Sequence, residues 1–198
     1  MNATAKRRIL INKIRKKLSE RQGFSLGELL AATIILLLAS QVMAQGIAFG
    51  ARMYNQSLTR SHAKQLCSTL TNVIETELRY TTAISTDAAG ELNSYFSPTY
   101  GQTSSNFGAI DEKGKEITSV TQGGGEIAIK ISTDDNKVIW QRLISSASYS
   151  SYGLKARVTS VKKENGKNLF HVILDISDKD GNKLITNEFD VIPVNELT

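Results

Sequence analysis

Gly23-Phe24-Ser25-Leu26-Gly27-Glu28-Leu29-Leu30 decides how the rest of this chain is read, because it sets a carboxylate four residues into the longest apolar run of the sequence. The run continues through Ile34, Ile35, Leu36, Leu37 and Leu38 to about Phe49, softened by Ser40, Gln41 and Gln45. At 1.5 Å per residue, positions 24–49 make a helix of about 39 Å, enough to cross a hydrocarbon core of about 30 Å with some tilt. A carboxylate at mid-bilayer costs roughly 2.5–3.5 kcal/mol on insertion scales. Glu28 therefore calls for a partner.

Upstream lie Lys6, Arg7, Arg8, Lys13, Arg15, Lys16, Lys17 and Arg21 against Glu20, so residues 1–23 carry +7. The positive-inside rule keeps this end cytoplasmic and delivers residues after about 50 to the other side. Without these residues the chain's +5 becomes −2. The basic balance thus belongs to the leader and does not argue for direct nucleic-acid binding. Ile9, Leu10, Ile14 and Leu18 recur near helical spacing among the cations. The leader is either an amphipathic helix on an anionic inner leaflet or a soluble basic segment that enforces orientation. Arg7-Arg8 stands too far from the apolar run for twin-arginine export, and Val42-Met43-Ala44 offers signal peptidase a cut before Gln45.

The Gly23-Phe24-Ser25-Leu26-Gly27-Glu28 segment, with its basic leader and following apolar run, resembles the cleavage and methylation motif of type IV pilins and pseudopilins. The resemblance covers about 30 residues of the 198. It implies that a prepilin peptidase cuts after Gly23 and methylates the new amino terminus at Phe24. It also implies that Glu28 pairs with the α-amino group of a neighbouring subunit's Phe24, setting the axial register of assembly. The physical chemistry agrees: Gly23 lets an extended backbone approach a peptidase closely, and a buried carboxylate is tolerated beside a cation. Ser25 and Gly27 depart from the commoner Thr and aliphatic residue of the family, and the leader is longer than many. The mid-helix Pro of many pilins is absent, since the chain has only Pro98 and Pro193. Gly46 and Gly50 are expected to supply a similar weak point, Gly costing about 1 kcal/mol relative to Ala in a helix.

Beyond the apolar run, Ala63, Leu66, Cys67, Leu70, Val73, Ile74 and Leu78 fall at steps of three and four, the stripe of an amphipathic helix. A helix from Phe24 to about Arg79 is expected. Residues 81–125 are rich in Thr, Ser, Gly, Asn and Ala and read as a loop-rich connection, anchored by Tyr95, Phe96, Tyr100 and Phe107. From Glu126 the period becomes two. Glu126–Ile131, Lys137–Ile144, Leu154–Val161, Leu169–Ser177 and Leu184–Ile192 read as strands. They are separated by Thr133–Asn136, Glu164–Lys167 and Asp178–Asn182, whose Asn-Gly and Asp-Gly pairs suit tight hairpins. The expected organisation is a leader (1–23), a transmembrane or filament-core helix (24–50), its amphipathic continuation (51–80), the connection (81–125) and a sheet-bearing head (126–198). The fold class is α+β, with a long N-terminal helix packed against a C-terminal antiparallel meander of four or five strands.

Catalytic chemistry finds little footing. His62 and His171 lack metal-ligand spacing. Cys67 is alone and reads as a small packed hydrophobe. Asp178, Asp180 and Asn182 alternate like the start of a calcium loop, but without its distal Glu they read as a hairpin turn. Gly123–Gly125 lacks the Lys and Ser/Thr of a phosphate loop. Asp87, Glu91 and Glu112 form no acid pair. We expect no cofactor, no metal and no enzyme activity.

The resemblance implies a structural subunit, read as a minor pilin, of a type IV pilus-like filament. Its partners would be prepilin peptidase, other pilin subunits through the N-terminal helix, the membrane assembly platform, and membrane lipid before assembly. A pseudopilin of a type II secretion or competence DNA-uptake machine shares every motif, and a single-pass anchored binding module is the other alternative. The protein would span the cytoplasmic membrane once, head outside, and then join a surface filament. Many Gram-negative pilins share a C-terminal disulfide loop that this chain lacks, which leans toward a Gram-positive surface.

Overall fold

A computed structural model describes residues 25–118, 124–132, 138–164 and 166–195. The leader, Gly23 and Phe24 lie outside this range, as does the expected turn over Thr133–Asn136. The chain divides into two compact units, up to Tyr54 and from Asn55 onward. One helix, α1 (Leu26–Arg79), continues through the boundary and passes Gly46 and Gly50 unbroken, so the expected weak point is not a break.

The α+β expectation holds: the long helix packs against antiparallel sheets through its C-terminal part. Ala63, Leu66, Cys67, Leu70, Ile74 and Leu78 are buried, the stripe that steps of three and four foretell. Val73 is only half-buried, and Glu77 joins the buried set at 2% exposure.

Four strands occupy the segment expected to be loop-rich: β1 (Ile84–Thr86), β2 (Leu92–Ser97), β3 (Gln102–Ser105) and β4 (Gly108–Ile110). With β5 (Glu126–Ser132) and β6 (Val138–Arg142) they form a sheet ordered β1-β2-β3-β5-β4, with β6 paired to β5. Along one side of β5, β3 meets Ile131 and β4 meets Glu126–Ala128. The expectation failed because these strands bury hydroxyls where a pattern search needs aliphatics. Ser104 is buried and donates to Lys130 O at 3.1 Å and Ser105 O at 2.9 Å. Ser97 is buried too, and its hydroxyl donates to Glu77 at 2.6 Å. Tyr95 and Phe107 do pack in the core, stacked with centroids 5.3 Å apart.

The five expected strands from Glu126 onward are present but belong to two sheets, not one meander. After β6 the chain leaves the first sheet through a short helix, α2 (Ala147–Ser150), before β7 (Lys155–Lys163), β8 (Phe170–Ser177) and β9 (Lys183–Val191) form a three-stranded antiparallel sheet. On β8, Phe170, Val172, Leu174 and Ile176 are buried while His171, Ile173 and Asp175 alternate outward. A bulge at Val158–Ser160 interrupts β7. Main-chain bonds join the sheets at both ends of β7: Lys163 N–H to Gly90 O at 2.8 Å, and a reciprocal pair between Gly125 and Ala156 at 2.9 and 2.7 Å. A Cβ on Gly124 would stand 2.5 Å from Ala156 O, so a side chain there is excluded.

Three turns repeat one sequence, Asp-x-x-Gly-x, beginning at Asp87, Asp111 and Asp178. In each, the Asp Oδ1 accepts from the N–H groups two and four residues on, at 2.8–2.9 Å. The Gly in each has φ of 84°, 81° or 87°, a conformation that a Cβ disfavours. Asp178–Asn182 is therefore the hairpin turn between β8 and β9 that the sequence suggested. The Asn182 side-chain amide, donating to Asp178 Oδ2 at 3.0 Å, does most to hold the Asp178 carboxyl below its usual range, and the backbone N–H groups of Asn182, Asp180 and Gly181 add to it against a smaller opposing effect of burial.

Glu77 ties the helix to the first sheet. It accepts hydroxyls from Ser97, Thr99 and, at 3.5 Å, Tyr95. Burial, reinforced by Glu77, drives the Tyr95 phenol well above its usual range, so Tyr95 stays a neutral donor. At the helix end, Val194 N–H donates to Arg79 O at 2.8 Å, satisfying one orphaned carbonyl. Glu77→Ala should lower the unfolding free energy by about 3 kcal/mol, because buried hydroxyls lose their acceptor. Glu77→Gln, which keeps one acceptor oxygen, should cost less. Denaturant titration followed by Trp140 fluorescence checks both, and equal losses would contradict the account.

On the outer face of the three-stranded sheet, Asp175 pairs with Lys183 at 2.8 Å and accepts from Thr186 at 2.7 Å and Thr159 at 3.0 Å. Burial pushes its carboxyl upward, but Lys183 and the two hydroxyls outweigh this and hold it below the ordinary 3.8. A lowered folded-state value means stability present above the ordinary value and lost as pH falls through the folded one. Asp175→Asn should therefore destabilise most at neutral pH, with the gap closing in acid below 3.8. Denaturation midpoints from pH 7 downward test this, and a pH-independent gap would refute it.

Candidate assembly segment at the helix N-terminus

Ser25 and Glu28 organise the start of α1. Ser25 O accepts the first helical bond, from Leu29 N–H at 3.1 Å, which makes Ser25 the N-cap. Its hydroxyl accepts Gly27 N–H at 3.2 Å, and the Glu28 carboxylate reaches back to accept Ser25 N–H at 3.0 Å. This is a capping box, Ser-x-x-Glu, satisfying two otherwise unpaired donors. A carboxylate there also faces the positive end of the helix dipole. The spacing stands in the sequence, but reading Glu28 for an intermolecular partner passed over this intramolecular one. Gly23 and Phe24, the other expected site residues, lie outside the described residues.

The segment that follows is left uncovered by the described residues. Leu26 is 87% exposed, and Leu29, Leu30, Ile34 to Leu38, Val42, Met43, Ile47 and Phe49 are exposed as well. An 18-residue window has mean hydropathy 1.9 with none of it buried, so the helix is long and apolar enough to cross a membrane. Its hydroxyls are satisfied locally: Thr33 donates to Leu30 O and Ser40 to Leu37 O, each at 2.8 Å. Such back-bonding suits a helix in a medium without water.

Elsewhere, several ionisable groups are engaged in local contacts. Burial pushes the Cys67 thiol up, which disfavours the reactive thiolate. His171 Nδ1 lies 2.8 Å from Asp190 Oδ1 on the outer sheet face, and His62 stacks on Tyr152. Among the described residues no three His, Cys, Asp or Glu side chains converge as a metal site. A cavity of about 730 Å³ is bordered by Ile110, Lys113, Tyr149, Leu154 and Lys179. Beside it, Glu126 is committed to Arg142 and Ser146, and the Tyr149 hydroxyl accepts Ile127 N–H at 3.0 Å.

Ser25→Ala should cost the first turn about 1 kcal/mol, as N-cap losses typically do, and speed amide exchange at Gly27 in micelles. Glu28→Gln should speed exchange at Ser25 instead, and unchanged exchange in both would argue against the cap. Comparison with protein-family models, with curated proteins and with solved structures returned no match for this chain.

Proposed function

We propose that this chain is a non-enzymatic structural subunit, a minor pilin, of a type IV pilus-like filament. Prepilin peptidase cuts it after Gly23, Phe24 is methylated, and the N-terminal helix carries it into the filament. The observation that carries this reading is the unbroken 54-residue helix α1, apolar and uncovered at its start yet buried against sheets at its end. Such a helix can rest in lipid and exchange that cover for the helices of other subunits. Gly46 and Gly50, spaced by four with nothing within 4 Å of either Cβ position, leave room for a neighbouring helix to approach. Glu28, held by its own Ser25 N–H, is kept satisfied until a neighbouring Phe24 amine competes for it. In this reading the leader stays cytoplasmic, the head lies outside, and the assembly platform lifts the subunit out of the membrane. A pseudopilin of a secretion or competence machine would use the same residues in the same way.

The deciding experiment is the N-terminus and mass of the protein recovered from membranes of cells with and without their prepilin peptidase. Methylated Phe24 should appear only with the enzyme. An intact Met1, or a start at Gln45, would instead make the chain an anchored or secreted module. Glu28→Ala should leave cleavage intact while abolishing incorporation into filaments.

A further inference from the structure

Between β6 and β7 the chain reads Ser145-Ser146-Ala147-Ser148-Tyr149-Ser150-Ser151-Tyr152-Gly153, a Ser/Tyr tract richer in hydroxyls than the turns elsewhere. Such a composition supplies rigid aromatic area and adaptable hydrogen bonding at small entropic cost, as in antibody recognition loops. Tyr149 is its anchor: it is buried, and its hydroxyl is committed to Ile127 N–H. Tyr152 instead remains 39% exposed and stacks on His62 of α1, ring centroids 3.6 Å apart and planes 16° from parallel. The stacked pair forms a stiff wall.

Beside that wall lies a cavity of about 290 Å³, bounded on the helix by Gln65 and Thr69 and on the loop by Ser148 and Ser151. Leu66 and Ala147 complete the lining, which holds no Lys, Arg, Asp or Glu. The cavities on other faces are charged: Lys64 lines one, and Lys162, Lys163, Glu164 and Asp190 line another. Thr69 and Ser151 spend their protons on the carbonyls of Gln65 at 3.0 Å and Ala147 at 2.9 Å, so their oxygens remain acceptors. The Gln65 carboxamide, the Ser148 hydroxyl and the Tyr152 hydroxyl carry no hydrogen-bond partner among the described residues, which leaves donors as well.

We propose that this cavity is a binding site for a neutral saccharide of one or two pyranose rings. A pyranose presents an apolar C–H face, which suits an aromatic wall, and a rim of hydroxyls that donate and accept at once, which suits the mixed set of Gln65, Thr69, Ser148 and Ser151. A charged ligand finds no Lys, Arg, Asp or Glu in the lining to neutralise it. The volume of about 290 Å³ falls just below the roughly 300–1,000 Å³ common to small-molecule sites, too small for a longer chain to be enclosed. The site lies apart from the apolar segment, because every lining residue belongs to the compact unit from Asn55 onward.

The test uses the full chain in a zwitterionic detergent without a sugar headgroup, with cellobiose, maltose and N,N′-diacetylchitobiose as probes and glucuronic acid as the charged control. Saturation-transfer difference NMR should show transfer to the C–H face of at least one neutral disaccharide and none to glucuronic acid. Tyr152→Ala should weaken that binding by about tenfold and Gln65→Ala by about threefold, the scale of one stacking contact and one hydrogen bond. Trp140 fluorescence checks that each variant folds. Should Tyr152→Ala unfold, Tyr152→Leu together with Gln65→Ala carries the test. Absence of transfer to all three disaccharides, equal transfer to glucuronic acid, or binding indifferent to these substitutions would overturn the proposal. None of these outcomes bears on whether Phe24 is processed, so the two readings stand or fall apart.

Discussion

The first half of α1 exposes more apolar surface than the described residues bury. Twelve large hydrophobic side chains from Leu26 to Phe49 are exposed. At about 1.5–3 kcal/mol each, their exposure to water would cost on the order of 20–35 kcal/mol, several times the 5–15 kcal/mol by which a folded domain is typically stable. No adjustment of the head offsets that sum. The segment calls for an apolar surrounding such as lipid, which its length and composition suit.

Two of the carboxylates on the same helix, Glu28 and Glu77, lie in unlike surroundings. Glu77 is buried, and its partners are hydroxyls from β2 and the turn after it, with no cation among the described residues. It acts as a pin, since three donors from one hairpin must meet one side chain on the helix. Glu28 is exposed and turned back onto the helix start, where the dipole and Ser25 N–H hold it. A pinned acid suits a permanent contact. An acid held by one exposed backbone donor is free to exchange that donor for a stronger one.

In the head, the two sheets meet along a seam at which side chains are missing by design of the sequence. Gly90 faces Lys163 O and Gly124 faces Ala156 O at distances no Cβ could occupy. The Ser160 hydroxyl donates to Glu91 at 2.6 Å between these two contacts, close to the bulge in β7. Backbone-to-backbone contact at both ends, with a hydroxyl–carboxylate bond near the middle, holds the sheets in one register.

The sequence by itself determined the helix, its apolar half, the buried stripe at Ala63–Leu78, the five strands after Glu126 and the turn at Asp178. Each rests on local periodicity or on the φ that one Gly supplies, and such signals are complete within a few residues. It also held the Ser25–Glu28 cap, legible by spacing. Tertiary structure alone decided that four strands lie between Ile84 and Ile110, that the strands divide between two sheets, that Glu77 lies inside, and that His62 meets Tyr152. These depend on which distant group satisfies a hydroxyl, a carboxylate or a ring. Ser97 and Ser104 are strand-core residues only because Glu77 and Lys130 O stand opposite them, and no pattern along the chain records what stands opposite.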